Sequence, residues 1–556
     1  MNRASRRHFL QTLSFGLAAF DLTGSGSRAA SGRRREQENT KARLEPLRGL
    51  MVDAARLPEK SAYYMRLIDF CSEWNLNALL FRLTDDQGSA LRFPRHPELV
   101  THLHALSPEE AHGLAQYGGK QGVTVIPEIE SFGHSRYITA THKYAHLADS
   151  QPGRRNDFVG LCPVDPEALA LMRDLYREVA EIFPSPYLHA GCDEVNWGGS
   201  ELSRRALKTK SRAEIWAQYL NSLNDICLAL GKEMIVWGDY VVHKEPAILP
   251  RISKRIIVMD WQYYVTDPNP LAQAAQEVMN HGLRVIGAPA IISCEWGPRA
   301  GELQLRNIDA YADAYLALGG STRCLGVIVT NWAPTRYLQR SLWDTFAYAA
   351  VDVNHGSRLA RQSAFRRFTE RFYGASWDDD WQEAFSTYYR ITPNRHSCAP
   401  EWPGPRLPVP WANEASLRQA LMSGPTKIPP YKQLRARMAI LQYRVRRNEA
   451  DFASLAPSAE YIEYAYWRDM AARTAAKSGD TRPARALIRK IAEQDRQLVE
   501  RLNTEWNVGR FADSPGKLDP LVALGPANQL LFRMRQAAEF STQLAAHDAQ
   551  FFGLPR

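Results

Sequence analysis

Short apolar runs alternate with helical stretches along the chain from Arg48 onward. Most of these runs are continuously apolar, as expected of parallel strands that are buried on both faces. Eight runs are predicted as strands: Gly49–Asp53, Ala78–Leu83, Thr124–Ile129, Tyr187–Ala190, Met234–Trp237, Arg255–Trp261, Arg284–Gly287 and Leu325–Thr330. Their alternation with helices over residues 47–356 predicts an α/β fold, a (β/α)8 TIM barrel, with an open doubly wound sheet as the alternative.

The pattern changes to helices alone after residue 356. Apolar stripes at helical spacing run through Leu434, Met438, Leu441 and Val445, and again through Ile488, Ile491, Leu498 and Leu502. We therefore predict a barrel over residues 47–356, followed by an all-helical C-terminal region over residues 357–556.

The N-terminal segment is basic and then apolar. Ser5-Arg6-Arg7-His8-Phe9-Leu10-Gln11 resembles a twin-arginine export signal, and an apolar stretch reaches to Phe20. That stretch is too short and too polar for a membrane span, so we expect no stable membrane insertion. We predict a signal peptide over residues 1–30 and a linker over residues 31–46, and hence a periplasmic or secreted protein.

The composition is that of a soluble globular protein, with 45% hydrophobic and 23% charged residues. The net charge of +9 is unevenly distributed, because residues 44–356 carry 30 Lys and Arg against 36 Asp and Glu. A nucleic-acid enzyme usually carries a basic patch beside its active site, so an acidic barrel argues against a nucleic-acid partner. The seven cysteines show no CxxC spacing, and we expect scattered buried thiols.

Acidic residues recur where the predicted strands end. They are Asp53, Asp85, Asp86, Glu128, Glu130, Asp193, Glu194, Asp239 and Asp260, accompanied by Trp261 and Trp332. A single aspartate at such a place is more often a helix cap, but recurrence over six strand ends favours an active site. Carboxylates serve acid–base chemistry and bind hydroxyls, and tryptophan faces stack on sugar rings.

Two of these acids are adjacent in the chain. The segment His189-Ala190-Gly191-Cys192-Asp193-Glu194 ends the fourth predicted strand. Like charges this close raise the pKa of one of them, and a general acid at neutral pH needs a raised pKa. We therefore predict that Glu194 is a neutral acid beside an ionised, orienting Asp193.

This segment resembles a motif of the β-N-acetylhexosaminidases of glycoside hydrolase family 20, His-x-Gly-Gly-Asp-Glu, and differs from it at Cys192. Four further segments resemble family segments in the same order: Arg48-Gly49-Leu50-Met51-Val52-Asp53-Ala54-Ala55-Arg56, Leu83-Thr84-Asp85-Asp86, residues 128–135 and Leu161-Cys162-Pro163-Val164-Asp165-Pro166. The resemblance covers residues 48–335.

The resemblance implies an exo-acting enzyme that releases terminal β-linked GlcNAc or GalNAc from glycans with retained configuration. Glu194 would protonate the leaving oxygen and later activate water. Asp193 would orient the substrate's own acetamido group, whose oxygen attacks the anomeric carbon. Arg56 would bind sugar hydroxyls, with Asp85 and His134 as a supporting network. Trp237, Trp261 and Trp332 would wall the sugar pocket. No metal or cofactor is implied.

The chain also departs from the family pattern. Phe81 and Arg82 replace the family's Trp and His before the Asp-Asp pair, and Ala288-Pro289-Ala290-Ile291 stands where the family's acetamido-contacting tyrosine would be. The acid that follows the last-strand tryptophan is absent as well. Tyr263 or Tyr264 is a candidate for the replacement hydroxyl. These features resemble the divergent, hexosaminidase D-like branch.

Two alternatives remain open. A non-catalytic N-acetylhexosamine-binding relative would account for the missing tyrosine and acid, and it would bind glycan without releasing product. A metal-dependent barrel hydrolase would use His134, His189, Asp53 and Asp193, although neither of these histidines stands in an HxH or HxxE pair. Full activity after chelation would exclude the second.

Overall fold

A computed structural model of the chain describes residues 45–150, 159–292, 300–359, 361–391, 410–422, 432–477, 481–511 and 530–546. The predicted export signal and the predicted linker up to residue 44 lie outside these ranges. No helix within them is both long enough and apolar enough to cross a bilayer.

The centre of the fold is a closed parallel sheet. The described strands are β1 (Leu47–Asp53), β2 (Ala78–Arg82), β3 (Thr84–Asp85), β4 (Gly88–Leu91), β5 (Thr101–Leu106), β6 (Thr124–Glu128), β7 (Tyr187–His189), β8 (Glu233–Trp237), β9 (Ile257–Asp260), β10 (Arg284–Gly287), β11 (Ala290–Ile292) and β12 (Cys324–Asn331). Eight of them follow one another in the order β1-β2-β6-β7-β8-β9-β10-β12, and β12 pairs with β1. This confirms the predicted barrel.

The strands read as continuous apolar runs because both of their faces are buried. Met51 and Leu80 belong to a core cluster inside the barrel, which also contains Trp237 and Trp332. Their chain neighbours, such as Leu79, belong to the larger cluster between the sheet and the surrounding helices. Alternate residues of one strand therefore fill two different cores. Because both faces of the strand are buried, its sequence does not alternate between apolar and polar residues.

Helices surround the sheet. Their bounds are Ser61–Glu73, Pro108–Lys120, Arg136–Thr139, Pro166–Ile182, Glu201–Ala206, Arg212–Ala229, Pro268–Asn280, Glu302–Ala317 and Trp343–His355. Side-chain caps begin several of them. Ser107 and Glu110 form a capping box, and Asp165 accepts a hydrogen bond from the Glu167 N–H.

A small sheet follows β2 and was not predicted. β3 pairs antiparallel with β4, and β4 pairs parallel with β5. These strands are short and lack a regular apolar period, which is why the sequence pattern does not reveal them. His102 of β5 places its Nε2 2.6 Å from the Ala55 carbonyl oxygen, so the small sheet packs against the loop after β1.

The C-terminal region is helical in its described parts, as predicted. Its helices are Arg361–Phe368, Asp379–Ile391, Glu414–Met422, Lys432–Gln442, Glu449–Ala453, Leu455–Lys477, Thr481–Gly509 and Leu530–Ala546. The predicted stripe that contains Leu434 and Leu441 is buried in the core shared with the barrel helices. Ile488 and Ile491 instead join a separate core around Trp411. The cysteines within the described ranges, Cys71, Cys162, Cys192, Cys227 and Cys324, are free and buried.

Barrel closure depends on one glycine. Gly326 pairs with Leu47 at the β1–β12 seam, has φ +121°, and would place a Cβ atom 2.1 Å from the Leu47 carbonyl oxygen. We predict that Gly326→Ala lowers the free energy of unfolding by at least about 2 kcal/mol, because strain and clash add. Urea unfolding measures this loss.

Gly320 provides the matched control, since a Cβ atom there meets no atom within 4 Å. Gly320→Ala is expected to change the free energy of unfolding by no more than about 0.5 kcal/mol. Equal losses in the two variants would contradict the assigned role of Gly326.

Candidate active site

The register of the barrel brings polar strand ends together. Asp53 pairs with Arg82, Arg82 with Glu128, and Glu128 with His189, across four neighbouring strands. All four side chains are buried. The parallel pairing therefore converts separate strand ends into one ring of titratable groups at the C-terminal mouth of the barrel.

Arg82 lies at the centre of this ring. Its Nη2 atom lies 2.6 Å from Asp85 Oδ2, and its Nη1 atom lies 3.0 Å from Glu128 Oε1 and 2.9 Å from Glu130 Oε1. Its Nε atom is 3.8 Å from Asp53 Oδ1. The sequence identified Arg82 only as a departure from a motif and did not predict it as a site residue.

Burial raises the pKa of two of these carboxyl groups and so favours their protonated forms. Burial raises the pKa of Glu128 to about 7, against the opposing charge of Arg82 and with a further contribution from Asp193. Burial and the charge of Asp193 raise the pKa of Glu130 well above its usual range. The ring therefore holds protons near neutral pH.

Arg56 reaches the ring from the loop after β1. Its Nη1 atom lies 3.2 Å from Asp53 Oδ2, and its Nη2 atom lies 3.1 Å from Asp85 Oδ2. Burial opposes ionisation of Asp85, but the charges of Arg56 and Arg82 outweigh it and hold the pKa of Asp85 well below its usual range. Asp85 is therefore an ionised carboxylate between two guanidinium groups.

His134 connects this cluster to the adjacent acids. Its Nδ1 atom lies 3.1 Å from Asp86 Oδ2, and its Nε2 atom lies 3.3 Å from Glu194 Oε2 and 3.9 Å from Asp193 Oδ2. Burial lowers the pKa of His134, but the charges of Asp193 and Asp85 dominate and raise it well above its usual value. His134 is thus an imidazolium that faces carboxylates with both nitrogens.

A strained turn presents the acid pair. Gly191, Cys192 and Glu194 all have positive φ, at 65°, 76° and 47°. A Cβ atom on Gly191 would lie 2.1 Å from Glu130 Oε2, the same oxygen that accepts the Cys192 N–H at 3.1 Å. Such strain is characteristic of functional sites and persists where surrounding contacts fix the backbone.

The two acids differ in environment. The Asp193 side chain is 7% exposed, and its Oδ1 atom is buried with no hydrogen-bond partner among the described residues. The Glu194 side chain is 36% exposed, and its backbone N–H donates to Asp239 Oδ2 at 3.2 Å. Asp193 is therefore the inner acid and Glu194 is the acid open to solvent.

The predicted raised pKa of Glu194 is wrong for this state of the site. Burial does favour the neutral form, but the hydrogen bond from His134 and its charge outweigh burial and lower the pKa of Glu194. The sequence argument counted the neighbouring Asp193 and omitted His134. The raised pKa of His134 and the lowered pKa of Glu194 both favour a proton on His134, within hydrogen-bond reach of Glu194.

Aromatic side chains form the opposite wall. Trp237 donates its indole N–H to Glu128 Oε1 at 2.9 Å, and Trp332 donates to the Tyr263 hydroxyl at 2.9 Å. Trp261 stacks on Tyr263 with ring centroids 4.9 Å apart. Burial raises the pKa of Tyr263 well above its usual value, and the charges of Asp193 and Glu194 add to the rise. Tyr263, one of the two candidate tyrosines, thus lies near the acids.

The wall and the charged cluster belong to one site. The guanidinium carbons of Arg82 and Arg56 lie 4.9 and 5.3 Å from the centroid of the Trp332 ring. The predicted site residues that the structure brings together are Arg56, Asp85, His134, Asp193, Glu194, Trp237, Trp261, Tyr263 and Trp332. The strand-end acids Glu128, Glu130 and Asp239 also belong to this site, and the structure adds Arg82.

The metal alternative requires ligands that the structure keeps apart. Among the described residues, the groups close enough to share a cation are Asp85, Asp86 and His134, and His134, Asp193 and Glu194. His189 belongs to neither, because its Nδ1 atom accepts the Gly191 N–H at 3.0 Å and its ring lies 4.4 Å from Trp237.

The barrel segment matches a known family. Residues 46–294 match the model described as "Glycosyl hydrolase family 20, catalytic domain". This segment is similar to a family 20 catalytic domain. The β-hexosaminidase subunit β of Rattus norvegicus is 26% identical over 271 residues, which is 45% of this chain and 46% of that protein.

One further relative and one solved structure are similar to parts of this chain. The β-hexosaminidase of Akkermansia muciniphila is 30% identical over 185 residues, 29% of this chain and 37% of that protein. The chain thus spans less than half the length of either of these relatives. The crystal structure of the Vibrio harveyi GH20 exo-β-N-acetylglucosaminidase with N-acetylglucosamine is similar with a TM-score of 0.46 and 20% identity, covering 58% of this chain and 57% of that one.

The charge state of His134 can be measured directly. We predict that His134 is still protonated at pH 8, whereas an ordinary histidine with a pKa of about 6.5 is neutral there. Ring nitrogen shifts in protein labelled at histidine report this state, and the signal that disappears in His134→Gln assigns it. A His134 signal that titrates near pH 6.5 would contradict the assigned network.

Proposed function

We propose that the barrel is an exo-acting β-N-acetylhexosaminidase that hydrolyses terminal β-linked GlcNAc or GalNAc by a retaining, substrate-assisted mechanism. The observation that carries the proposal is the position of Asp193. Its Oδ1 atom is buried and has no hydrogen-bond partner among the described residues, beside the exposed acid Glu194. A buried carboxylate oxygen without a donor is costly, and a substrate amide N–H would satisfy it.

The sugar would be held by Arg56 and by the adjoining aromatic wall. Arg56 offers donors to sugar hydroxyls, and the buried Asp53 and Asp85 fix its guanidinium by ion pairs at 3.2 and 3.1 Å. Trp332 and Trp237, with ring centroids 5.5 Å apart, provide apolar faces for the ring and the acetamido methyl group. The protonated Tyr263 hydroxyl would donate to the acetamido oxygen, in place of the tyrosine that the family motif has elsewhere.

In the first step, the acetamido oxygen attacks the anomeric carbon, and the bond to the leaving oxygen breaks. Glu194 gives its proton to that oxygen. The pKa shifts favour a proton on His134 before the reaction. We propose that substrate binding excludes water from Glu194. This would move the proton across the 3.3 Å contact between His134 Nε2 and Glu194 Oε2. Asp193 stabilises the positive charge on the oxazolinium intermediate.

In the second step, Glu194 accepts a proton from water, whose oxygen attacks the anomeric carbon and breaks its bond to the acetamido oxygen. The product is the free N-acetylhexosamine with its original configuration.

We also propose that the enzyme acts outside the cytoplasm. The support is the segment Ser5-Arg6-Arg7-His8-Phe9-Leu10-Gln11, with its following apolar stretch. Glycans with terminal N-acetylhexosamine would be its substrates there.

A panel of aryl β-glycosides tests the activity. We expect cleavage of the 4-nitrophenyl N-acetylglucosaminide or N-acetylgalactosaminide and little or no cleavage of the plain glucoside, which lacks the nucleophile. Glu194→Gln is expected to lower kcat/KM by about 10²- to 10⁴-fold, because the proton donor is lost. Glu277→Gln, at an exposed glutamate of an outer helix, serves as the matched control.

Equal cleavage of the acetamido and plain glucosides would contradict the substrate-assisted mechanism. Calorimetric binding of N-acetylglucosamine with no product after prolonged incubation would instead favour the non-catalytic relative.

A further inference from the structure

Arg510 connects the helical C-terminal region to the barrel mouth. It follows the helix Thr481–Gly509 and is completely buried. Its Nε atom donates to Glu59 Oε1 at 2.9 Å, while Nη1 and Nη2 donate to the carbonyl oxygens of Tyr337 and Pro334, both at 2.9 Å. One guanidinium group is thus bound by three acceptors of the barrel.

These acceptors belong to two loops that carry predicted sugar-binding residues. Glu59 lies three residues after Arg56, in the loop after β1. Pro334 and Tyr337 follow Trp332, in the loop after β12. The two loops are also connected directly, since Gln339 donates to Glu59 Oε2 at 2.8 Å.

The contact is closely packed. A Cβ atom on Gly509 would lie 2.0 Å from Gln339 Oε1, so only glycine allows this approach. The Arg510 guanidinium lies 3.9 Å from the centroid of the Trp506 ring. On its other side, Phe511 stacks on His104 of β5 with centroids 3.8 Å apart and an interplanar angle of 7°.

We propose that Arg510 is a positioning residue. By joining the loops after β1 and β12 it fixes Arg56 and Trp332 relative to each other, so the helical region sets the affinity of the barrel for the terminal sugar. The kinetic part of this inference rests on the proposed function, whereas the loop-fixing part does not.

The helical region offers a matched control. Arg468 is also completely buried, pairs with Asp495 at 2.8 Å, and lies 3.4 Å from the centroid of the Trp411 ring. It donates to the carbonyl oxygens of Trp411 and Ala537. Its chemistry matches that of Arg510, but all of these partners lie within the helical region.

Hydrogen–deuterium exchange of the full chain tests the loop fixation. In Arg510→Met we expect amides of residues 54–60 and 332–339 to exchange about tenfold faster or more, because local opening of these loops becomes easier. In Arg468→Met these amides are expected to exchange as in wild type. Loops that remain as protected in Arg510→Met as in wild type would overturn the proposal.

Kinetics then test the consequence for the sugar. With the 4-nitrophenyl N-acetylhexosaminide that the wild type cleaves, we expect Arg510→Met to lower kcat/KM by about 10- to 100-fold, mainly through KM, since misplaced binding groups cost this much. The pH profile is expected to be unchanged, because the His134–Glu194 pair is not touched. Arg468→Met should keep its kinetic constants within about twofold, as a distant site.

Arg510→Lys separates charge from geometry. Lysine keeps a cation for Glu59 but lacks the planar fork that reaches both carbonyls, so we expect an effect between those of wild type and Arg510→Met. It also replaces the methionine variant if that variant does not fold. Wild-type kinetics in Arg510→Lys together with unchanged loop exchange would overturn the proposal. A wild type that cleaves no glycoside would refute the proposed function, and the exchange data would still decide the role of Arg510.

Discussion

The rest of the site depends on the ion pairs of one buried group, the guanidinium of Arg82. Each of its carboxylate partners leads to a different part of the mouth. Glu130 holds the strained turn through the Cys192 N–H, Glu128 receives the indole N–H of Trp237, and Asp85 contacts both Arg56 and His134. Burying a charge costs several kcal/mol unless it is well paired, so these partners and Arg82 hold one another in place.

The same arrangement distributes the protons. Carboxyl groups outnumber cations at the mouth, and burial raises the pKa of Glu128 to about 7, while Asp85, between two guanidinium groups, stays ionised. His134 Nε2 lies 3.3 Å from Glu194 Oε2, and the pKa of His134 is raised well above its usual value. In the mechanism that we propose, His134 would hold the catalytic proton next to Glu194, which would deliver it to the leaving oxygen.

The sequence predicted the barrel and many of the residues at its mouth, because strands and the residues that follow them are local features of the chain. Continuous apolar runs mark the strands, and the acids that follow them point to the mouth. The pKa of Glu194 could not be predicted, because it depends on His134, which lies on another strand's loop. The sequence analysis noted Arg82 only as a departure from the family motif. Arg510 has no local signature at all, since its partner Glu59 lies 451 positions away.

The mechanism that we propose requires two displacements at the anomeric carbon, the first by the substrate's own amide. Proton NMR of the first sugar released from an aryl N-acetyl-β-hexosaminide tests it most directly, if spectra are recorded before the anomers equilibrate. Two displacements at the anomeric carbon predict that the β-anomer appears first. An α-anomer that appears first would show direct attack by water, and it would contradict the account.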